Sequence, residues 1–425
     1  MGRFALIGSG LGHSFSPEIH KSLGKYEYET ISLEDDQALK SFMEKGNFTG
    51  INVTMPFKEK ILAYLDKLDP IAEKVGAVNT ATNVDGIKTG YNTDYAGMKA
   101  LLSLYKGGVS GKKVVILGSG GASKTCQLLM RDLGAGSITV LSRQGLGLTK
   151  TYEQGLVEDS DAQIIVNCTP LGMYPDHMDE SPIDLYHFKQ LEGLFDLVYN
   201  PLRTKLILQA EDMGVSAYSG LYMLIMQAYK AVKIFLDAEG KRGQDPDLSQ
   251  AMDLYKKILY GKRNLVLVGM PACGKTGTGE ALAKMLKRPF IDTDRLIEEK
   301  TGMAPARIIN EMGEKKFRNI EKEIVSELRT VRASVIASGG GSIMDPENLE
   351  SFKANGQVIF IDRPIDELKI SADRPIAKSQ EDLEMLYRSR RSSYMKADAI
   401  IYAKGKSPYD LARYIFKNPE LIDEN

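Results

Sequence analysis

Cysteine is scarce: Cys126, Cys168 and Cys273 are the three in 425 residues, far apart and with no C-x-x-C pair. That excludes a disulfide framework and a zinc pattern, and it suits a reducing compartment. An excess of charge is also missing. Fifty-five Lys and Arg face 56 Asp and Glu, for a net charge of -1, so no global field recruits nucleic acid or an anionic membrane. Local basic clusters remain able to hold small anions. No apolar run approaches the roughly 18 residues that a membrane span needs. The run at 4–7 stops at Gly8, too short for a signal-peptide core. Internal repeats and low-complexity tracts are absent. The expectation is a soluble, cytoplasmic protein, monomer or homodimer, with neither nucleic acid nor membrane as partner.

What is present is ordinary globular material, 43% hydrophobic and 26% charged. The length exceeds one domain at roughly 100–200 residues each. Short apolar runs at 4–7, 51–53, 114–117, 138–141, 164–166 and 194–198 read as strands, several of them β-branched, and helical stretches lie between them. This is an α/β pattern. Residues 221–236 have helical periodicity through Leu221, Leu224, Ile225, Ala228, Val232 and Phe235. The polar stretch 237–247 looks like a linker. Residues 248–260 are amphipathic again, however, and are expected to pack back on the first half. The boundary is therefore placed at Gly261-Lys262, just before the apolar run 264–268.

Two segments announce phosphate chemistry. The strand 114–117 runs into Gly118, Gly120, Gly121, Ala122 and Ser123 and then a helix. Glycines there let the backbone turn tightly and approach a pyrophosphate at a helix N-terminus. Gly8, Gly10 and Gly12 form a weaker version without the third glycine, read as a plain turn. After the next strand, an NAD site carries an acid for the ribose hydroxyl. Here Ser142 and Arg143 stand instead, and a guanidinium suits a 2'-phosphate, which favours NADP. In the second half, Gly269, Gly274, Lys275 and Thr276 complete G-x-x-x-x-G-K-[ST] between a strand and a helix. Its backbone amides cradle phosphates, Lys275 reaches the terminal ones, and the Thr276 hydroxyl ligates Mg2+.

Further motifs carry a resemblance. Ser14, Ser16 and Pro17; Asn52, Thr54, Pro56, Lys58 and Glu59; Asn79 and Thr80; Asn92, Thr93, Asp94 and Gly97; and Asn167, Thr169 and Gly172, in this order, resemble shikimate dehydrogenase over about residues 1–260. The resemblance implies that Ser14 and Ser16 hold a substrate carboxylate. Thr54, Asn79, Asp94 and Gln227 would bind its hydroxyls, Tyr199 would join the substrate site, and Lys58 with Asp94 would form the acid–base pair. Gly118, Gly120, Gly121, Ala122, Ser142, Arg143 and Gly220 would bind NADP(H). Relatives often carry another basic residue after Arg143, where this chain has Gln144 and Gly145.

From 262 to 425 the chain resembles shikimate kinase, through Asp292 and Asp294, Phe317 and Arg318, Gly339 to Gly341, Arg374 and Pro375, and Arg390 to Tyr394. This likeness implies that Gly269, Ala272, Cys273, Gly274, Lys275, Thr276, Gly277 and Arg374 bind ATP, with Arg374 beside a closing lid. Thr276 and Asp292 would serve Mg2+, the latter directly or through water. Asp294 would bind the acceptor hydroxyls and take a proton. Arg318 and Arg390 would clamp the shikimate carboxylate, with Gly340 and Gly341 close to the ring, and Lys275 and Asp294 would be catalytic.

Together these imply an α/β protein. A two-lobed dehydrogenase occupies 1–261, with a substrate lobe at about 1–100 plus the helices at about 220–260, and a Rossmann-like NADP lobe at about 101–219. A P-loop domain like the nucleoside-monophosphate kinases occupies 262–425. The implied activity is NADPH-dependent reduction of 3-dehydroshikimate to shikimate, followed by MgATP-dependent phosphorylation to shikimate 3-phosphate. The alternative is an NAD-linked quinate/shikimate-type dehydrogenase with a non-catalytic ATP-binding module. Ser142-Arg143 argues against the cofactor in that reading, and the intact Lys275 and Thr276 against the silent module.

Overall fold

The structure is a computed structural model and describes residues 2–241, 243–368, 379–418 and 421. The chain divides into two compact units. One is Met1–Asn200 with Thr204–Ile258, and the other is Pro201–Arg203 with Leu259–Asn425. Among the described residues, no helix is long and apolar enough to cross a membrane.

The first unit holds two sheets. One comprises β1 (Phe4–Gly8), β2 (Tyr28–Ser32), β3 (Gly50–Val53), β4 (Lys67–Leu68), β5 (Thr80–Val84) and β6 (Ile87–Tyr91), in the order β2-β1-β3-β5-β6-β4. Strands β2, β1 and β3 are parallel, while β5 runs antiparallel to β3 and to β6. Every residue of β1 and β3 is buried, as their short apolar runs require of strands covered on both faces. Asp85 and Gly86 turn the chain between β5 and β6 with φ of 51° and 86°. Two consecutive positive φ values are what a two-residue hairpin demands.

The second sheet comprises β7 (Lys113–Leu117), β8 (Ser137–Leu141), β9 (Ile164–Asn167), β10 (Gly193–Asp196) and β11 (Ser216–Ser219), all parallel, in the order β11-β10-β9-β7-β8. Counted from β7 this is 2-1-3-4-5, a doubly wound sheet whose strand order reverses between β7 and β9. Ligands of such sheets bind at that reversal, outside the carboxyl ends of the strands. Helix Leu221–Ala238 returns to the first sheet. Its partner, helix Asp94–Leu102, approaches so closely that a Cβ at Gly97 would lie 2.7 Å from the Met223 carbonyl and 2.9 Å from Gln227 Cβ. Helix Leu248–Lys262 buries Ala251, Leu254 and Ile258, and Met252 and Tyr255 pack on the core around Met98, Leu129 and Tyr222. This gives the polar stretch before it the character of a surface loop.

The second unit is one parallel sheet of β12 (Asn264–Val268), β13 (Phe290–Asp292), β14 (Val335–Ala337), β15 (Gly356–Asp362) and β16 (Ala399–Tyr402), ordered β13-β14-β12-β15-β16. Its core gathers Leu265, Val266, Leu267, Val268, Val335, Val358, Ile359, Phe360 and Ile361, none more than 1% exposed. Burying these apolar runs stabilises the unit by about 25 cal/mol per Å² of apolar surface removed from water.

Candidate functional site

Topology gathers the candidates of the first unit before any side chain is considered. Parallel strands β1 and β3 end on the same sheet edge, so the segments carrying Ser14, Ser16, Thr54 and Lys58 start there. Because β5 is antiparallel to β3 and β6 to β5, the chain enters β5 past Asn79 and leaves β6 towards Asp94 on that same edge. Gly8 allows the two turns to touch: a Cβ there would lie 2.3 Å from Thr54 Cγ2.

At this edge Lys58 Nζ donates to Asp94 Oδ2 at 2.6 Å, with the side chains 21% and 9% exposed. Asn79 Nδ2 donates to the other oxygen, Asp94 Oδ1, at 2.9 Å, to Thr93 Oγ1 at 2.9 Å and to Gln227 Oε1 at 3.4 Å. Thr93 Oγ1 also lies 3.2 Å from Gln227 Oε1, while Gln227 Nε2 donates to the Leu224 carbonyl at 3.0 Å. Lys58, Asn79, Asp94 and Gln227 therefore form one connected cluster, and Gly97 makes the helix approach that places Gln227 within it. Ser14 Oγ accepts from the Ser16 amide at 3.2 Å, and Phe15 between them lies 5.3 Å, ring to ring, from Tyr199. The Thr54 amide donates to the Ile7 carbonyl at 3.0 Å. Ser14, Ser16 and Thr54 thus lie on the turns at this edge, with Tyr199 against Phe15.

The glycine turn after β7 faces this cluster. Helix Gly121–Asp132 begins three residues earlier than the apolar pattern suggests, with Gly120 at its N-cap and no side chain capping it. A Cβ at Gly120 would meet nothing, and one at Gly121 would lie 3.5 Å from Ala77 Cβ and 3.9 Å from Lys58 Cβ. Uncapped first-turn amides behind an open Gly120, opposite a lysine–aspartate pair, fit a dinucleotide's pyrophosphate. Gly118, at φ 97°, has no room for a side chain beside Thr169 Cγ2 at 3.0 Å, and Gly220 has none against the Leu197 carbonyl at 2.1 Å. Ala122 follows in the helix. Arg143 is exposed beyond β8, and Ser142 Oγ lies 2.9 Å from Thr149 Oγ1 and accepts from the Gly145 amide at 3.1 Å, closing that loop on itself. No acid occupies the end of β8, which fits a 2'-phosphate.

In the second unit all five strands point the same way, so the turns after them share one edge. The phosphate loop follows β12, with φ of 143° at Gly269, 64° at Ala272 and 102° at Gly274. Gly274 starts helix Lys275–Leu286 with no side-chain cap, so the amides that follow are open to an anion. Lys275, 8% exposed, donates to the Gly269 and Met270 carbonyls at 2.9 and 3.0 Å. Gly277 would place a Cβ 3.2 Å from Pro408 Cβ. Thr276 Oγ1 donates to Asp292 Oδ2 at 2.8 Å, and Asp292 Oδ1 accepts from the Asp294 and Arg295 amides. Asp292 is thus both a helix cap and the neighbour of Thr276, and a hydroxyl with a carboxylate at a phosphate loop is a donor set that fits Mg2+.

The glycine triplet after β14 is the meeting point of the remaining candidates. A Cβ at Gly339 would lie 2.8 Å from Asp294 Oδ1, one at Gly340 2.8 Å from Pro271 Cγ in the phosphate loop, and one at Gly341 2.5 Å from Arg318 Nη2. Arg390 Nη1 donates to the Gly340 carbonyl at 3.0 Å. Asp294, Arg318, Gly340, Gly341 and Arg390 are therefore brought together beside the phosphate loop. Arg374 lies outside the described residues.

Three residues of this cluster are given no role by the sequence. Glu321, 1% exposed, accepts from Arg318 Nη1 at 2.7 Å and from Ser342 Oγ at 2.5 Å. Burial pulls the Arg318 guanidinium down, but Glu321 and Glu314 outweigh it and hold it above its ordinary value. The third is Tyr394, which donates to the Gly340 carbonyl, its hydroxyl pushed up to about 12 by burial and so kept protonated. The i,i+3 spacing from Arg318 to Glu321 is the available signal for the first. Tyr394 closes the motif that starts at Arg390, and Ser342 has no signal of its own.

Comparison with known proteins bears on both units. The model of the shikimate dehydrogenase substrate-binding domain matches residues 6–81, and that of shikimate kinase matches residues 271–419. A shikimate dehydrogenase (NADP(+)) of Clostridium botulinum (strain Loch Maree / Type A3) is 36% identical over 246 residues, 54% of this chain and 95% of that protein. Among solved structures, shikimate dehydrogenase 1 from Peptoclostridium difficile is 34% identical at a TM-score of 0.55, covering 61% of this chain and 98% of its own. A chorismate mutase/shikimate 5-dehydrogenase fusion protein from Clostridium acetobutylicum is 30% identical at 0.54, over 61% of this chain and 97% of its own. The chain belongs to the shikimate dehydrogenase family, continues into a shikimate kinase domain, and is a bifunctional enzyme of the shikimate pathway.

Proposed function

We propose that residues 1–261 reduce 3-dehydroshikimate to shikimate and that residues 262–425 phosphorylate shikimate to shikimate 3-phosphate. The observation that carries the first half is the Lys58–Asp94 pair, 2.6 Å apart beside an uncapped glycine turn. NADPH supplies the hydride and MgATP the phosphoryl group when bound. Reduction of a ring ketone leaves a developing alkoxide, and the Lys58 ammonium gives it a proton and a neutralising charge. Asp94 holds that ammonium in place, and Asn79 fixes Asp94 through its other oxygen. Ser14 and Ser16 take the substrate carboxylate, and Thr54, Asn79 and Gln227 its hydroxyls, with Tyr199 at the rim. Gly118, Gly120, Gly121 and Ala122 receive the pyrophosphate, Ser142 and Arg143 the 2'-phosphate, and Gly220 gives the nicotinamide side room.

In the second half, phosphoryl transfer needs positioning and charge neutralisation more than a strong base. The amides from Gly269 to Gly277 and Lys275 hold the phosphates, and Thr276 and Asp292 hold Mg2+. Asp294 orients the acceptor hydroxyl and takes its proton. Arg318, fixed by Glu321, and Arg390 grip the carboxylate, since a planar guanidinium matches it in shape and charge. The working protein is a cytoplasmic monomer or homodimer, and light scattering distinguishes the two.

The test is product analysis with 3-dehydroshikimate, NADPH and MgATP, omitting each cofactor in turn and exchanging NADPH for NADH. Shikimate 3-phosphate with both cofactors and shikimate alone without ATP are expected. NADPH consumption with no phosphate ester would refute the second half, and equal rates with NADH would refute the assignment of Arg143.

A further inference from the structure

A charged pair behind the phosphate loop belongs to none of the motifs. Arg363 follows β15 directly, its side chain 12% exposed. Nε donates to the Cys273 carbonyl at 3.0 Å, Nη2 to the Lys406 carbonyl at 2.8 Å, and Nη1 to Glu367 Oε2 at 2.9 Å. Glu367 in turn accepts the Gly405 amide on both oxygens, at 3.0 and 3.1 Å. The pair therefore binds the phosphate loop to the turn after β16. That turn is closed by the Lys406 amide on the Ala403 carbonyl at 3.1 Å, with Gly405 at φ 67°. Two residues on, Pro408 packs against the start of the phosphate-loop helix, 3.7 Å from a Cβ at Gly274 and 3.2 Å from one at Gly277.

The bond to Cys273 matters because a peptide unit is planar and trans. Its carbonyl and the following N–H point in opposite directions. A guanidinium that fixes the Cys273 carbonyl on the outside of the loop fixes the Gly274 N–H on the inside, where an anion is received. The residues flanking this peptide have φ of 64° at Ala272 and 102° at Gly274. Neither is a conformation that local preference holds in place, so an external clamp has something to do. Arginine suits this role because its rigid fork reaches two carbonyls and a carboxylate at once, which an ammonium on a flexible stem cannot do with the same geometry.

We propose that Arg363, with Glu367, is a positioning residue for the nucleotide: it orients the Cys273–Gly274 peptide towards the phosphates and couples the phosphate loop to the turn at 403–408. This rests on the kinase reading of the second unit.

The experiment compares wild type with Arg363→Met, Arg363→Lys and Glu367→Gln in the full chain. Titration with Mg-ADP and the KM for MgATP give the nucleotide side, and the KM for shikimate gives the acceptor side. Arg363→Met is expected to weaken Mg-ADP binding and raise the KM for MgATP by roughly tenfold or more, the loss of charge-assisted bonds to the loop. The KM for shikimate should stay within about twofold, because Arg318 and Arg390 are anchored elsewhere. Arg363→Lys should fall between wild type and Arg363→Met, and Glu367→Gln should share the direction. Where Arg363→Met does not fold, by circular dichroism, Arg363→Lys carries the test. Unchanged nucleotide affinity in a folded variant overturns the proposal, as does an equal rise in both KM values, which marks general damage. Should wild type bind Mg-ADP but leave shikimate unphosphorylated, the kinase reading fails and the Mg-ADP titration still decides the role of Arg363.

Discussion

Replacing Lys58 by methionine separates the chemistry of the first unit from its binding. Methionine keeps an unbranched apolar stem of similar reach and removes the ammonium. Asp94 stays in place, since Asn79 still donates to its Oδ1 at 2.9 Å. The site then lacks its proton donor and keeps an uncompensated carboxylate only 9% exposed, beside the point where negative charge develops. Loss of a general acid costs about 10²–10⁴ in rate, and loss of one donor to an oxyanion about 10²–10³. One group does both jobs, so the two factors overlap, and kcat should fall by about 10⁴, or about 5.4 kcal/mol of transition-state stabilisation. The alkoxide exists only in the transition state, so the KM for 3-dehydroshikimate should change much less than kcat. The assay follows NADPH absorbance at saturating substrate, with shikimate phosphorylation by the same sample as the control for an intact second unit. A kcat within tenfold of wild type in Lys58→Met would refute the acid–base reasoning.

Lys275→Ala should do the reverse, removing shikimate phosphorylation by at least about 10³-fold while leaving NADPH oxidation unchanged. A coupled ADP assay checks the first and NADPH absorbance the second. Gly341→Ala puts a methyl 2.5 Å from Arg318 Nη2, so the guanidinium must shift. The KM for shikimate should rise by roughly tenfold or more, with the KM for MgATP nearly unchanged, in initial-rate kinetics. The pH dependence of stability should carry the mark of His20. It is buried, stacks on Tyr28 at 4.1 Å and has no partner for Nε2 among the described residues, and burial pulls it from 6.5 to about 3. Between those values the unfolded chain binds a proton that the folded one refuses. Its contribution is therefore full above about pH 6.5 and is lost as pH falls towards 3, by roughly 1.4 kcal/mol per unit. Asp196, pushed by burial from 3.8 up to about 6, works in the opposite sense over part of that range. The informative quantity is thus the melting temperature of wild type minus His20→Phe from pH 7 to 4, which should fall steadily. A flat difference would refute the assignment.

What is legible in the chain follows from how local each signal is. Strands β7, β9 and β12 are buried on both faces and so must be apolar runs, which can be read directly. The phosphate loop is equally plain, because contiguous residues build it. Helix Gly121–Asp132 begins earlier than its apolar pattern because Gly121, Ala122 and Ser123 build its first turn and none of them is a large apolar residue. The two-residue strand β4, Lys67–Leu68, is defined by pairing with β6 and has no pattern of its own. The hairpin between β5 and β6 has its signal in Asp85-Gly86 alone, a pair that apolar periodicity passes over. The sites divide the same way. Lys58, Asp94 and Asn79 come from different turns and are joined by sheet topology, which the order of motifs implies. Glu321, Ser342, Tyr394 and Arg363 act by holding another residue or a backbone carbonyl. Such partners are chosen by packing in three dimensions, and only the spacing of Arg318 and Glu321 and the motif that ends at Tyr394 leave a trace along the chain.

The posture of Lys275 has a consequence for how tightly the second unit can hold a nucleotide. Its ammonium is nearly buried and already rests on the Gly269 and Met270 carbonyls. A phosphate arriving in the loop does not meet a bare charge; it must displace two existing bonds. Net affinity is then the difference between two satisfied states, smaller than the attraction of an isolated ammonium for phosphate. The same arrangement keeps the buried ammonium paired with backbone carbonyls. The lysine is, in effect, parked on its own backbone: the loop gives up some grip on the nucleotide and in return keeps its shape between turnovers, when a product must leave before the next phosphate donor can enter.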